Sequence, residues 1–287
     1  MVSGVGSDTE ESVLRRGSEV TPHAPQSGEQ VAARQNLAAL HVRSRLAAVL
    51  PFVAVIAVWF AVTAGGAINP IFLPSPVRTL ASLGSLLTAG FLRENLLPSV
   101  IRVAGAFALS AAIAVPLGVL SGNVPAVARA VLPLCSFTRY LPVAALVPLC
   151  ILWLGIDDAQ KIAVIMLGSV FQLLILIAGD TASVPQELVE AARTFGLSKG
   201  AVLWKVVLPW AMPALWNDLR VCAGWAWSYL VLAELVAGNR GLGYFIIQSQ
   251  RYLETDRVFA GILLIGLLGL ATDQFFRLSA LRLFRWM

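Results

Sequence analysis

Few side chains of this 287-residue chain could perform covalent chemistry, and their placement argues against an enzyme. The only histidines, His23 and His41, precede the apolar part of the chain, so neither a Ser–His pair nor an HExxH zinc motif can form within it. No CxxC spacing occurs among the cysteines, which indicates small buried hydrophobes: Cys135, Cys150 and Cys222. We therefore expect no catalytic residue, no metal site and no cofactor in this chain.

Charged residues inside the apolar runs are the next candidates, because a charge at membrane depth costs about 3 kcal/mol and usually faces protein or water. Asp218 and Arg220 point to different faces of a helix, so we expect each to pair with a neighbouring helix or to reach the interface. Arg139 precedes a kink at Pro142, where it could attract an anion or extend to the membrane surface. Glu234 could hold the connection that follows it by hydrogen bonds.

A charged stretch at residues 190–209, EAARTFGLSKGAVLWKVVLP, separates two apolar runs. Its first part favours helix, and Gly196 fits the left-handed residue that ends one. Ser198 can cap a second helix, which we expect Leu208-Pro209 to close. The pattern predicts a helix, a glycine turn and a second helix outside the bilayer.

The elements that position these residues are apolar helices. The chain is 58% hydrophobic and 13% charged, against about 45–50% and 25% in soluble proteins, which predicts a membrane protein. Six apolar runs are long enough to span a bilayer: 46–64, 100–120, 127–155 (kinked by prolines), 161–178, 214–237 and 258–276. Residues 1–45 are polar, and we expect a flexible tail there. Gly118 and Gly122 form a GxxxG pattern, which favours close helix packing.

The distribution of basic residues predicts the orientation of these spans. An even number of spans places both termini on one side of the membrane. More of the Lys and Arg residues lie in the tails and loops of that side, which the positive-inside rule assigns to the cytoplasm. The charged stretch at 190–209 is then cytoplasmic. The formal charge of +5 is scattered between apolar runs, so we expect no nucleic-acid partner.

The charged stretch also carries a longer pattern. Glu-Ala-Ala at 190–192 is followed by three residues, Gly196, nine residues, and then Val206 and Leu208-Pro209. This resembles the EAA motif of ABC importer permeases, with Val206 where isoleucine is more usual. Three further segments resemble the sulfonate, taurine, nitrate and bicarbonate branch of that family: 72–76 (FLPSP), 139–156 (RYLPVAALVPLCILWLGI) and 233–244 (AELVAGNRGLGY).

The resemblance implies an all-α membrane protein with six transmembrane helices of type I ABC importer permease architecture. Its permease domain would comprise residues 46–287 and include a cytoplasmic helix-turn-helix loop at 183–209. In the family this loop docks in a cleft of a cytoplasmic ATPase, which implies a set of coupling residues: Glu187, Glu190, Ala191, Ala192, Phe195 and Gly196. The candidates for lining or gating the translocation path are Arg139, Pro142, Glu234 and Asn239.

The same resemblance implies the partners. We expect a homodimer in the bacterial plasma (inner) membrane, with ATP-binding subunits on the cytoplasmic side and an external or periplasmic substrate-binding protein. The chain has no GxxxxGK[ST] motif, so ATP and Mg²⁺ would be bound by the separate ATPase. The solute would be a small anion, namely nitrate, bicarbonate, taurine or another sulfonate. A neutral heterocycle such as a thiamine precursor remains an alternative cargo. An ATP-independent channel or secondary transporter remains an alternative function.

Overall fold

A computed structural model of the chain describes residues 50–66 and 68–285, and every regular element in these ranges is helical. In chain order the helices are α1 (Leu50–Ala64), α2 (Pro76–Leu86), α3 (Ala89–Asn123), α4 (Pro125–Thr138), α5 (Val143–Leu154), α6 (Asp158–Ala182), α7 (Gln186–Thr194), α8 (Lys199–Val236), α9 (Leu242–Arg251) and α10 (Thr255–Leu283). The predicted all-α class is therefore confirmed. The tail predicted for residues 1–45 lies outside the described residues.

The described helices include several that are long and apolar enough to cross a membrane. These are α3, α6, α8 and α10, and α4 with α5 adds a fifth span if that bent pair is counted as one. The helix α1 is apolar but shorter than these, and it straddles the start of the compact unit that begins at Phe60. The count of six spans consequently remains a prediction.

Close packing of α3 against α6 forms the centre of the bundle. A Cβ added to Gly118 would lie 2.7 Å from Ile177 Cγ2, and one added to Gly122 would lie 2.5 Å from the Ala178 carbonyl oxygen. The GxxxG prediction of a close helix contact is confirmed, because only glycine permits this approach. The core around the contact also receives Ala211 and Cys222 of α8.

Two of the long helices begin with a π-helical turn followed by Leu-Pro. In α3 the Leu97 amide donates to the Leu92 carbonyl, and in α8 the Leu208 amide donates to the Leu203 carbonyl. The expectation that Leu208-Pro209 would close a helix is wrong, since α8 runs through both residues. The π turn has already broken the regular i to i−4 ladder, so the donor that Pro209 lacks removes no further bond.

Candidate functional site

The loop between α6 and α8 folds into a small unit of its own. Its helix α7 ends before Gly196, whose φ of +81° is a left-handed value that favours glycine. The amide of Ala201 donates to Ser198 Oγ at 3.3 Å and so caps the start of α8. A local apolar cluster holds α7 against α8: Val184, Ala192, Val202 and Val207.

Most of the predicted coupling residues lie on the outer surface of this loop. Exposed members of the set are Glu187, Glu190, Ala191, Phe195 and Gly196. Ala192 differs, being 8% exposed within the local cluster, so it packs the loop internally. Phe195 is 84% exposed and Leu188 is 42% exposed, which places large apolar side chains beside charged ones on a surface. Such a combination is typical of a protein interface.

At the end of the bundle opposite α7, Glu234 is completely buried. Its carboxylate accepts hydrogen bonds from Ser99 Oγ at 2.8 Å, from Arg102 Nη1 at 2.6 Å and from the Gly243 amide at 2.8 Å. The geometry supports the expectation that Glu234 holds the following connection. A Cβ at Gly243 would lie 2.7 Å from the Glu234 Cβ, so the connection packs directly on this side chain.

Arg102 extends this arrangement into a network that we call the Arg102 network (Ser99, Arg102, Asp158, Glu234 and Arg240). The Arg102 guanidinium donates to Asp158 Oδ1 at 2.6 Å and to the Arg240 carbonyl oxygen at 2.9 Å. Arg240 in turn pairs with Asp158 at 3.1 Å. The network therefore fastens α3, α6 and α8 to the connection between α8 and α9.

The other charged residues of the spans lie in two separate places. Arg220 Nη2 donates to Asp273 Oδ2 at 2.9 Å, which joins α8 to α10 and confirms pairing with a neighbouring helix rather than with Asp218. Asp218 is 7% exposed and lies beside Asp180 of α6. No group of three or more metal-ligating side chains occurs within the described ranges.

The four translocation-path candidates do not form one cluster. Arg139 and Pro142 occupy the break between α4 and α5, where the two helices meet at 100°. Arg139 borders a cavity of about 310 Å³ that also touches α6 and α8. Asn239 borders a different cavity of about 500 Å³, at the end opposite α7, together with Arg93 and Arg240. Glu234 lies near that second cavity but inside the protein.

Sequence reasoning missed several residues of the Arg102 network and of the cavity beside Arg139. Ser99, Arg102 and Asp158 were not singled out, although an arginine within an apolar run is a signal of a buried partner. Gln172 and Ser228, which share the cavity with Arg139, were also missed. Their polar groups repeat at no diagnostic spacing, because they meet only once two helices have packed.

Comparison with known proteins assigns this arrangement to a class. Residues 114–285 match the family described as binding-protein-dependent transport system inner membrane component. A probable ABC transporter permease from Brucella melitensis biotype 1 is 35% identical over 237 residues, 83% of this chain and 95% of that protein. The chain belongs to this family of ABC transporter permeases.

Several relatives have named cargo, and one solved structure shares the fold. The putative aliphatic sulfonates transport permease of Bacillus subtilis (strain 168) is 34% identical over 81% of this chain and 84% of its own length. The taurine transport system permease of Escherichia coli (strain K12) is 33% identical over 80% and 85%. The MetNI methionine ABC transporter, in an inward-facing conformation, has a chain that aligns at a TM-score of 0.56 and 20% identity, over 65% of this chain and 94% of its own. The fold is that of a type I ABC importer permease.

Proposed function

We propose that this chain is the transmembrane subunit of an ATP-driven importer for a small anion, delivered by an external binding protein. Two copies form the pathway in the bacterial plasma membrane, with both termini in the cytoplasm. ATP and Mg²⁺ are bound by a separate ATPase subunit that docks on the α6–α8 loop. ATP binding closes the ATPase, pushes this loop and opens the pathway towards the binding protein.

The observation that carries the proposal is the exposed face of the α6–α8 loop. Phe195 and Leu188 leave large apolar surfaces uncovered, and Glu187 and Glu190 add charge beside them. A helix that presents apolar anchors in this way fits a groove on a partner protein. The local apolar cluster around Ala192 packs α7 against the start of α8, so the loop can move as one rigid unit.

The relatives support an anion as the solute. Their named cargoes are aliphatic sulfonates, which are anions at neutral pH, and taurine, a zwitterion that carries a negative sulfonate group. Nitrate and bicarbonate are smaller members of the same chemical class. A neutral heterocycle would be an alternative outcome of an uptake assay with the complete complex.

The proposal is tested by copurification of the ATPase subunit with the tagged permease. We expect Glu190→Lys to release most of the ATPase, because it reverses the charge of an exposed contact residue. Glu254→Lys is the control, since it makes the same charge reversal at a half-exposed residue just before α10. Full retention of the ATPase by Glu190→Lys, with normal import, would refute the docking role of this loop.

A second pair of variants tests the shape of the loop rather than its charge. Gly196→Ala forces a Cβ into a left-handed conformation and costs about 1–2 kcal/mol, so we expect weaker ATPase retention. Gly200→Ala lies four residues further on, in α8, with no atom near the added Cβ. It should leave retention unchanged. Equal behaviour of the two variants would show that the glycine turn is irrelevant to docking.

A further inference from the structure

The cavity beside Arg139 has a mixed chemical lining. Its polar members are Thr138, Arg139, Gln172, Ser228 and Tyr229. Apolar side chains complete the wall: Leu141, Val143, Leu167, Phe171 and Trp225. Its volume of about 310 Å³ is room for a small organic solute rather than a single ion.

The cavity lies at the middle of the membrane-spanning bundle. Gly168 follows the first residue of α6 by ten positions, and Gln172 precedes its last residue by ten. At 1.5 Å per residue, these lining residues are about 15 Å from either end of the helix. The break between α4 and α5 opens at this cavity, since Thr138 and Val143 both border it. Broken backbone at membrane depth occurs where it is buried in protein or lines an aqueous cavity.

Arg139 is a cation without a counter-ion here. Its Nη2 donates to the Tyr140 hydroxyl at 2.9 Å, and no carboxylate pairs with it among the residues that the structure describes. The contrast with Arg102 and Arg220 is direct, because both of those arginines pair with carboxylates. Arg139 is an exposed residue that borders the cavity, so its unpaired positive charge is accessible to an anionic ligand there.

Further groups around the cavity could serve the same anion. Helix α5 begins at Val143 on the cavity wall, and the first amides of a helix have no intrahelical acceptor and carry a partial positive charge. The side chains of Gln172, Ser228 and Tyr229 make no hydrogen bond to other described residues, so their donors are free. Gly168 leaves room for the Tyr229 ring, since a Cβ there would lie 2.6 Å from it.

We propose that this cavity is a solute-binding site for a sulfonate with a short apolar tail. Arg139, the start of α5 and the side chains of Gln172 and Ser228 bind the sulfonate oxygens. Phe171 and Trp225 pack against the tail. The proposal rests on the proposed importer function and adds the cargo and the residues that select it. A bare oxyanion such as nitrate would use the polar half only.

The test uses the complete complex of permease, ATPase and binding protein in proteoliposomes, with radiolabelled ethanesulfonate as the probe. We expect Arg139→Gln to lower uptake by about tenfold to a hundredfold, as loss of a hydrogen bond to a charged group does. Gln172→Leu keeps the side-chain size and should lower uptake less. Arg139→Lys keeps the charge and should recover part of the loss.

The matched control is Arg129→Gln, which removes an exposed arginine from α4 away from the cavity. It should import ethanesulfonate like the unaltered complex. ATP hydrolysis stimulated by the loaded binding protein should persist in Arg139→Gln, which shows that the complex is assembled and coupled.

Two results would contradict the proposed solute-binding site. One is ethanesulfonate uptake by Arg139→Gln within twofold of the unaltered complex. The other is an unaltered complex that imports nitrate under ATP but not ethanesulfonate. In both cases ATP-driven import still occurs, so the proposed function stands while this inference fails. Uptake that is independent of ATP would instead contradict the proposed function itself.

Discussion

Arg102 and Glu234 show how single residues stabilise the end of the bundle opposite α7. They are 1% and 0% exposed, and they lie 2.6 Å apart. Burial of such a pair costs desolvation energy that the ion pair offsets only when the remaining donors and acceptors are satisfied. Ser99 and the Gly243 amide supply the other bonds to Glu234, and Asp158 supplies those to Arg102. Removal of one member should therefore lower the free energy of unfolding by far more than the intact ion pair contributes to it.

We predict that Glu234→Gln lowers the free energy of unfolding by about 3 kcal/mol, because it leaves the Arg102 guanidinium buried with one carboxylate fewer. Equilibrium unfolding of the solubilised permease in mixed detergents measures this change in free energy. The matched control is Glu254→Gln, which breaks an ion pair with Arg257 whose side chains are 40% and 48% exposed. That change should cost less than about 1 kcal/mol. Similar losses in the two variants would contradict a structural role for the Arg102 network.

The Arg102 network shows which residues could be predicted from the sequence and which could not. Glu234 and its role in holding the connection follow from a carboxylate placed next to glycines near the end of an apolar run. Its partner Arg102 does not follow, because 132 positions separate the two residues and no local pattern relates them. For the same reason the sequence pointed to Arg139 and Pro142 but not to Gln172 or Ser228.

The contact between α3 and α6 shows how the packing of two helices stabilises the bundle. Small residues let two helix backbones approach closely, and the gain is van der Waals packing rather than the hydrophobic effect, since lipid is also apolar. The short sequence pattern predicted this contact because both glycines lie on one face of one helix. The helix ends were harder to predict, since charged residues such as Asp158 belong to the spans once they are paired.

We predict that Gly122→Ala destabilises the permease by about 1–3 kcal/mol, because the added methyl group meets the backbone of α6. The readout is the fraction of monodisperse protein after heating in detergent. Gly105→Ala makes the same change in the same helix, at a position with no atom within 4 Å of the new Cβ, and should have no cost. A stable Gly122→Ala protein would mean that α3 and α6 can separate without loss.

At the scale of the whole molecule, the helices α6 and α8 connect sites that lie at different depths. The α6–α8 loop lies at one end of the bundle and the Arg102 network at the other, while α6 and α8 take part in both. These two helices also border the cavity of Arg139. A push on the loop can therefore reach the pathway through continuous helices. The hydropathy pattern predicted the helices, but their sharing between sites became visible only in the packed bundle.

We predict that import by the reconstituted complex requires ATP hydrolysis by the partner ATPase. Uptake should stop when ATP inside the vesicles is replaced with a non-hydrolysable analogue, and it should fall in parallel with ATPase retention in Glu190→Lys. The control is the unaltered complex with ATP in the same vesicle preparation. Solute flux that continues with the analogue would identify a channel or secondary transporter instead.

The Arg102 network also constrains how the protein is made. Arg102 precedes Asp158 by 56 positions and Glu234 by 132. At roughly 5–20 residues per second, a ribosome completes Glu234 about 7–26 s after Arg102. Helix α3 must therefore enter the bilayer carrying an arginine whose partner Glu234 has not yet been translated, and its apolar residues must compensate. Arg102 gains its second carboxylate partner, Glu234, only when α8 arrives, so a chain truncated before α8 should be recognised as unfinished and degraded.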